Sequence, residues 1–282
     1  RSSAASDVYK RQGLNHFIKR LISLALSKFQ YDSNPTKHSL NLFSHKPVTD
    51  SFKKHKNTSY HFHWINNDTL SIFDFDKIPS GSIITLHDEW LYCGSEHYYK
   101  VHDHSREFET GYRYFKKGIF GINWNSLIWK VKYKKLAHRE DLIYTVPSRW
   151  MFERAKSSAI LKKSDVRLLP NPIDTNVFKN YAEEDSRLFR QSLNIDDGSI
   201  MIVFGAISGR KNKLKGMDLL RNALIRLKKD VLDINKSNIV LVDFGGTLGN
   251  SEFCGFRNIS LGHIDDDTCL LYTSDAADDL WC

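Results

Sequence analysis

The stretch IITLHDEWLYCGSEHYY, residues 83–99, is an apolar run that breaks off at three titratable side chains, His87, Asp88 and Glu89. Ile83, Ile84 and Leu86 read as a buried strand entered through the turn Pro79-Ser80-Gly81. Open α/β sheets hold their ligands at the carboxyl ends of strands, so this histidine and these carboxylates stand where binding or proton transfer takes place. An imidazole there can hold a hydroxyl group. Asp88 and Glu89 can bind a polar ligand or simply cap the turn. Trp90, Tyr98 and Tyr99 offer faces for a sugar ring, and core packing is equally open to them.

A second group with chemical potential is the loop GAISGRKNKLKG, residues 205–216, which leads from the apolar run SIMIVFGA into the helical pattern of residues 217–230. Arg210, Lys211, Lys213 and Lys215 precede the helix start at Gly216 or Met217. Unpaired backbone N–H groups and the positive end of the helix dipole favour an anion at such a place, and the cations reinforce it. The spacing matches neither GxxxxGK[ST] nor GxGxxG, so neither common nucleotide motif is present. A diphosphate site of another kind and a solvated basic loop are the two readings left.

The elements that must position these groups follow from periodicity. Residues 14–29 place Phe17, Leu21, Leu24 and Ala25 on one helical face beside Lys19, Arg20 and Lys28. A helix docked on a sheet is expected there, with a membrane-surface helix as the alternative. SYHFHWIN (59–66) alternates as a strand. A strand through Val146 is followed by Ser148 as N-cap and a helix from Arg149, and DVRLL forms a short strand ended by Pro170. After a polar, acidic interval at 182–198, a strand, a helix carrying Leu219, Leu220, Ala223, Leu224 and Leu227 on one face, and the strand NIVLVDFGG make a βαβ series. The run Pro170-Asn171-Pro172-Ile173-Asp174 suits a junction between domains or an ordinary loop.

The chain has 282 residues, enough for two domains, and its 41% hydrophobic and 26% charged content is that of a globular protein. A net charge of +8 favours an anionic partner: nucleic acid, a phosphorylated metabolite or an acidic lipid surface. The four widely spaced cysteines, Cys93, Cys254, Cys269 and Cys282, form no CxxC pair. That indicates neither a disulfide framework nor a zinc site and points to a reducing, cytoplasmic setting. No apolar run reaches the roughly 20 residues of a membrane span.

The series VPSRWMFERAKSSAIL, VRLLPNPIDTNVF and IVFGAISGRKNKLKGMDLLRNAL resembles the run of family 4 glycosyltransferases, in which PS-W, a PN-ID junction and a KG helix follow in that order. HFHWIN and IITLHDEW extend the similarity toward exopolysaccharide glycosyltransferases, over roughly residues 38 to 268. The resemblance implies a GT-B fold, two Rossmann-like α/β domains with parallel sheets facing a cleft. Residues 13–170 would be the acceptor-binding domain and residues 171–270 the domain that holds the nucleotide-sugar. Residues 1–12 and 271–282 resemble translated adaptor, so the chain is expected to be cut at both ends, without the acidic donor-binding segment and the glycine-rich loop of the family, and itself inactive.

Carried across, Lys215 matches the lysine that binds the donor diphosphate, with Arg210 as a basic partner. Gly205 and Gly216 would let phosphate or sugar approach the backbone. His87 falls on the histidine that faces the donor sugar, which makes it the catalytic candidate, and Asp88, Glu89 and Trp90 are the acceptor candidates. The implied partners are a nucleoside diphosphate sugar, a lipid-linked or glycan acceptor, and an anionic membrane at the inner face of the cytoplasmic membrane. No metal and no further cofactor are expected, and no nucleic acid. Cys93, Gly94, His97 and Tyr98 keep only part of a cysteine-containing series of the family. Two other readings stand beside this one: a basic single-strand-binding module built on RYFKKG and KVKYKK, and a catalytically dead GT-B scaffold.

Overall fold

The computed structural model describes residues 14–30, 36–54, 58–99, 106–113, 121–176, 183–205, 215–230, 238–245 and 252–264. The chain divides into two compact units, Arg1–Asn171 and Pro172–Cys282, and both are α/β.

The first unit opens with helices α1 (Leu14–Ser27) and α2 (Lys46–Lys54). Strand β1 (His61–His63) follows, then a 3-10 helix at Ile72–Lys77 and strand β2 (Ile83–Thr85). Helices α3 (Glu107–Thr110) and α4 (Trp124–Leu136) lead to strand β3 (Ile143–Val146), helix α5 (Arg149–Ser157) and strand β4 (Asp165–Leu168). The four strands form one parallel sheet in the order β1-β2-β3-β4. Parallel neighbours need a crossover between them, and the intervening helices supply it.

Strand alternation assigns the two faces of this sheet. Phe62, Ile84, Tyr144 and Val166 are in register and turn into the core, where the last three are buried. His61, His63, Thr85, Thr145 and Arg167 lie on the opposite face. Ser148 caps α5 as its sequence suggests, its hydroxyl oxygen accepting from the Met151 N–H at 3.3 Å. Strands β1 and β2 are only three residues long, shorter than the alternation of 59–66 suggests. The chain turns out of β1 at Trp64, whose φ of 47° is left-handed.

Helix α1 reverses the expectation for residues 14–29. Its Phe17, Leu21 and Leu24 face outward, and the helix docks through its polar side. Ser23 donates to Asp68 Oδ1 at 2.9 Å, the His16 and His45 rings lie 4.6 Å apart, and the Trp124 indole donates to the Leu26 carbonyl at 2.8 Å. Buried Asp68 needs a donor more than the surface needs another apolar contact, and that demand turns the helix over.

The second unit contains α6 (Glu183–Ser192), β5 (Ile200–Gly205), α7 (Met217–Asp230), β6 (Ile239–Phe244), β7 (Glu252–Phe253) and β8 (Phe256–Ser260). Its sheet has the order β5-β6-β8-β7, with β5, β6 and β8 parallel and β7 antiparallel to β8 through a turn at Cys254 and Gly255. Leu224 of α7 packs with Ile239, Leu241 and Phe256, while Ile195, Val240 and Val242 pack on the other sheet face. Leu220 and Leu227 join that core. Leu219, expected beside them, is 69% exposed, and Ala223 is exposed too. The interval 182–198, read as polar connection, contains α6, none of whose residues is buried. Asp174 accepts from the Asn176 N–H at 2.9 Å and closes the turn after the Asn171–Pro172 boundary. Among the described residues no helix is long and apolar enough to cross a membrane.

Candidate functional site

Two-residue periodicity brings His61 and His63 of β1 to the same sheet face as Thr85 of β2 and Thr145 of β3, and His87 continues that row just past the end of β2. The five side chains interact in two strings. His61 Nε2 lies 2.7 Å from Thr85 Oγ1, which lies 2.7 Å from Thr145 Oγ1. His63 Nδ1 lies 3.0 Å from His87 Nε2. The His61 and His63 ring centroids are 4.2 Å apart, and those of His63 and His87 5.3 Å. Burial, and after it the neighbouring imidazoles of His61 and His87, hold His63 below the ordinary histidine value. That lowering favours the neutral imidazole at His63. His87 is exposed.

Immediately behind His87 the character changes. Asp88 Oδ2 accepts from His97 Nδ1 at 2.6 Å and from the Trp64 indole at 3.2 Å, and Oδ1 accepts from the Trp90 N–H at 3.0 Å. Burial alone would raise this carboxyl, but the His97 hydrogen bond and charge, with the Trp90 and Trp64 donors, hold it below its ordinary value. His97 Nε2 in turn meets Ser39 Oγ at 2.8 Å. Lys37 sits over the Trp64 ring, 4.1 Å from its centroid.

Glu89 and Trp90 are each 1% exposed. Glu89 Oε1 accepts from Arg154 Nε at 2.5 Å and from Tyr92 Oη at 3.0 Å, and Oε2 accepts from the Tyr99 N–H at 2.8 Å. The Trp90 indole donates to the Ser39 carbonyl at 2.8 Å, and its ring carries the Lys132 ammonium 4.1 Å from the centroid. Neither residue offers a face to an acceptor, because the protein's own groups already surround it. Tyr99 is buried as well.

Lys132 is fully buried; it donates to the Gly94 carbonyl at 2.6 Å and to the Trp90 carbonyl. Burial pushes its ammonium down and the Glu96 carboxyl up. Glu96 accepts from the Tyr112 hydroxyl. Cys93 is buried in the same knot, and burial raises its thiol well above the ordinary value, so it is no nucleophile.

These facts also bear on KVKYKK, residues 130–135, which lies on α4. Its Lys132 is internal, and Lys135 is ion-paired to Asp76 at 2.6 Å. Of RYFKKG, residues from 114 onward lie outside the described residues.

In the second unit, Lys215 is exposed directly before α7, and the Gly216 carbonyl accepts the first helical bond, from the Leu220 N–H at 3.0 Å. Gly216 has φ +69°, a conformation that costs a side-chain-bearing residue about 1 kcal/mol or more, and this is sufficient reason for its glycine. At Gly205 an added Cβ would fall on the Phe244 ring, so a protein side chain, not a ligand, takes the space that the glycine leaves. Arg210, Lys211 and Lys213 lie outside the described residues, as do Cys269 and Cys282.

A depression lined by Trp64, Asn66, Thr85, His87 and Asp88, among others, has a volume of about 20 Å³, room for one water-sized group. A larger hollow of about 580 Å³ is lined in part by Arg257 and Asn258 in the amino-terminal half of β8. Arg257 is already engaged there by the Leu193 and Asn194 carbonyls. Among the described residues no group of three or more His, Cys, Asp or Glu could hold a metal ion.

No protein-family model matches this chain, and no curated protein sequence does.

The residues that sequence reasoning passed over are His61, His63, Trp64, Thr85 and Thr145. A signal for three of them, His61, His63 and Thr85, was present. The spacings 61/63 and 85/87 are each two residues, so any strand through them must set them on one face.

Proposed function

We propose that this chain belongs to a retaining glycosyltransferase of GT-B architecture that moves a sugar from a nucleoside diphosphate sugar to a lipid-linked or polysaccharide acceptor in the cytoplasm. One observation carries the reading. The ordered motif series falls on two α/β units, with His87 just past a parallel strand of the first and Lys215-Gly216 opening the helix after the first parallel strand of the second.

In this reading, Lys215 and the amino end of α7 hold the diphosphate, with Arg210 as the second cation. As the bond between the anomeric carbon and the phosphate oxygen breaks, negative charge collects on the departing diphosphate and positive charge on the sugar. The fixed cation and helix end oppose the first. The acceptor hydroxyl forms the new bond to the anomeric carbon and gives its proton to the diphosphate. His87 holds a donor-sugar hydroxyl from the first unit, and His63 is a positioning residue that fixes which His87 nitrogen faces the sugar. No metal takes part. Asp88, Glu89 and Trp90 build the loop under His87 instead of touching the acceptor, and Gly205 packs Phe244.

Calorimetric titration with UDP, GDP and ADP tests the proposal. At least one should bind in the sub-millimolar range, and Lys215→Ala should weaken it about tenfold, the effect of losing one charge-assisted hydrogen bond. No binding of any of the three at millimolar concentration, or binding indifferent to Lys215→Ala, overturns it.

A further inference from the structure

Helix α1 is inside out. Phe17, Ile18, Leu21, Ile22 and Leu24 are between 44% and 51% exposed, and Phe29 just beyond the helix is 61% exposed. At 100° per residue, Leu24, Phe17, Leu21, Ala25, Ile18 and Ile22 form one unbroken arc of about 160°. The buried positions on the opposite side are His16 and Ser23. Isolated apolar residues on a surface are ordinary, but a contiguous apolar arc along a whole helix marks an interaction face.

The charges around the arc indicate what that face meets. Arg20 borders one edge and Lys19 the other, Lys28 follows the last turn, and residues 14–30 contain no Asp or Glu. Lys19 and Arg20 are half-buried, with the Lys19 ammonium 5.9 Å from the centroid of the Phe43 ring. A second copy of this chain seated face to face would bring these cations against their own images. Residues 1–13, RSSAASDVYKRQG, are too polar to cover the arc.

The helix has 14 residues, about 21 Å at 1.5 Å per residue, too short to span the hydrocarbon core. We infer that α1 is an interfacial helix that lies in the plane of an anionic lipid surface, with its apolar arc in the acyl boundary and Lys19, Arg20 and Lys28 at the headgroups. Its polar side stays fixed to the protein through the Ser23–Asp68 and Trp124–Leu26 hydrogen bonds. This inference does not depend on the sugar-transfer reading.

Sedimentation of the full chain with phosphatidylcholine vesicles, with and without phosphatidylglycerol, tests it. The chain should pellet with the anionic vesicles, and added salt should release it. Phe17→Ser and Leu21→Ser should each weaken partitioning about tenfold, and Lys28→Gln about fivefold. Because these side chains are exposed, circular dichroism and melting temperature should be unchanged. A chain that stays in the supernatant at every lipid concentration overturns the inference, and so does vesicle binding that survives the double variant Phe17→Ser/Leu21→Ser. A dimer in analytical ultracentrifugation that the same double variant disperses would assign the face to a second copy and would equally overturn it.

Discussion

His87 and the residues that follow it are neighbours in sequence and opposites in structure. The histidine tract of His61, His63 and His87 is a row of titratable rings open on one sheet face. The loop Asp88–Tyr99 is a knot of carboxylates, imidazole and indole held by the protein's own partners, Glu96 Oε2 excepted, with Glu89 through His97 all buried. Buried polar groups that are fully partnered make a rigid support, and a polar group left facing outward is available to a ligand. The difference separates scaffold from reagent within a single tetrapeptide, His-Asp-Glu-Trp. The second unit repeats the division, with Gly205 packed against Phe244 and Lys215 exposed before α7.

The strongest way to break this contrast is Glu89→Gln. It removes the charge opposite Arg154 and sets an amide among the Tyr92, Arg154 and Tyr99 donors, so chemical denaturation should show a loss of about 3 kcal/mol or more. A stability close to wild type would place Glu89 among the reagents.

Gly205→Ala sharpens the same contrast in the second unit. The added methyl group meets the Phe244 ring, and overpacking of this kind costs about 1–3 kcal/mol. Calorimetric melting should register that loss, while nucleotide affinity at temperatures where the protein stays folded should be retained.

Asp88→Asn should cost about 1–2 kcal/mol at neutral pH, because a hydrogen bond to a charged partner is weakened. The pH dependence gives the sign. The native carboxyl lies below its unfolded value, so its contribution is complete above the ordinary carboxylate range and is lost as pH falls through the lower native value. Denaturation curves collected below pH 5 should therefore fall less steeply for Asp88→Asn than for the wild-type chain.

The smallest stability effect belongs to His87→Ala. An exposed ring with one imidazole neighbour contributes about 0.5 kcal/mol at most, so the midpoint of unfolding should barely move. A large loss would put His87 with the knot behind it.

The strands and helices bounded by turn residues were legible in the sequence. Proline, serine and glycine frame β2 and α5, and apolar runs mark β5 and β6, because local chemistry sets those boundaries. The outward turn of α1 was not legible, since periodicity defines a face without saying what it faces. Here the partner is Asp68, 45 residues away from Ser23. Burial of Glu89, Glu96 and Lys132 was hidden for a related reason. Charged side chains read as solvated unless their partners are known, and theirs come from α4, α5 and distant backbone carbonyls. Helix α6 was missed because an acidic amphipathic helix without a buried residue looks like a polar connection. Of the candidate site, His87 and Lys215 could be picked out from their positions after a strand and before a helix. The rest of the histidine tract needed the register of β1 against β2.

The proposal gives Lys215 the diphosphate of a nucleotide-sugar and His87 the sugar. A double-mutant cycle tests it, with Lys215→Ala, His87→Ala and the double variant each titrated with a nucleoside diphosphate and with the matching nucleoside diphosphate sugar. The account predicts that Lys215→Ala weakens both ligands alike, and that His87→Ala removes only the affinity added by the sugar. Equal affinities of wild-type and His87→Ala protein for the sugar-bearing ligand would contradict it.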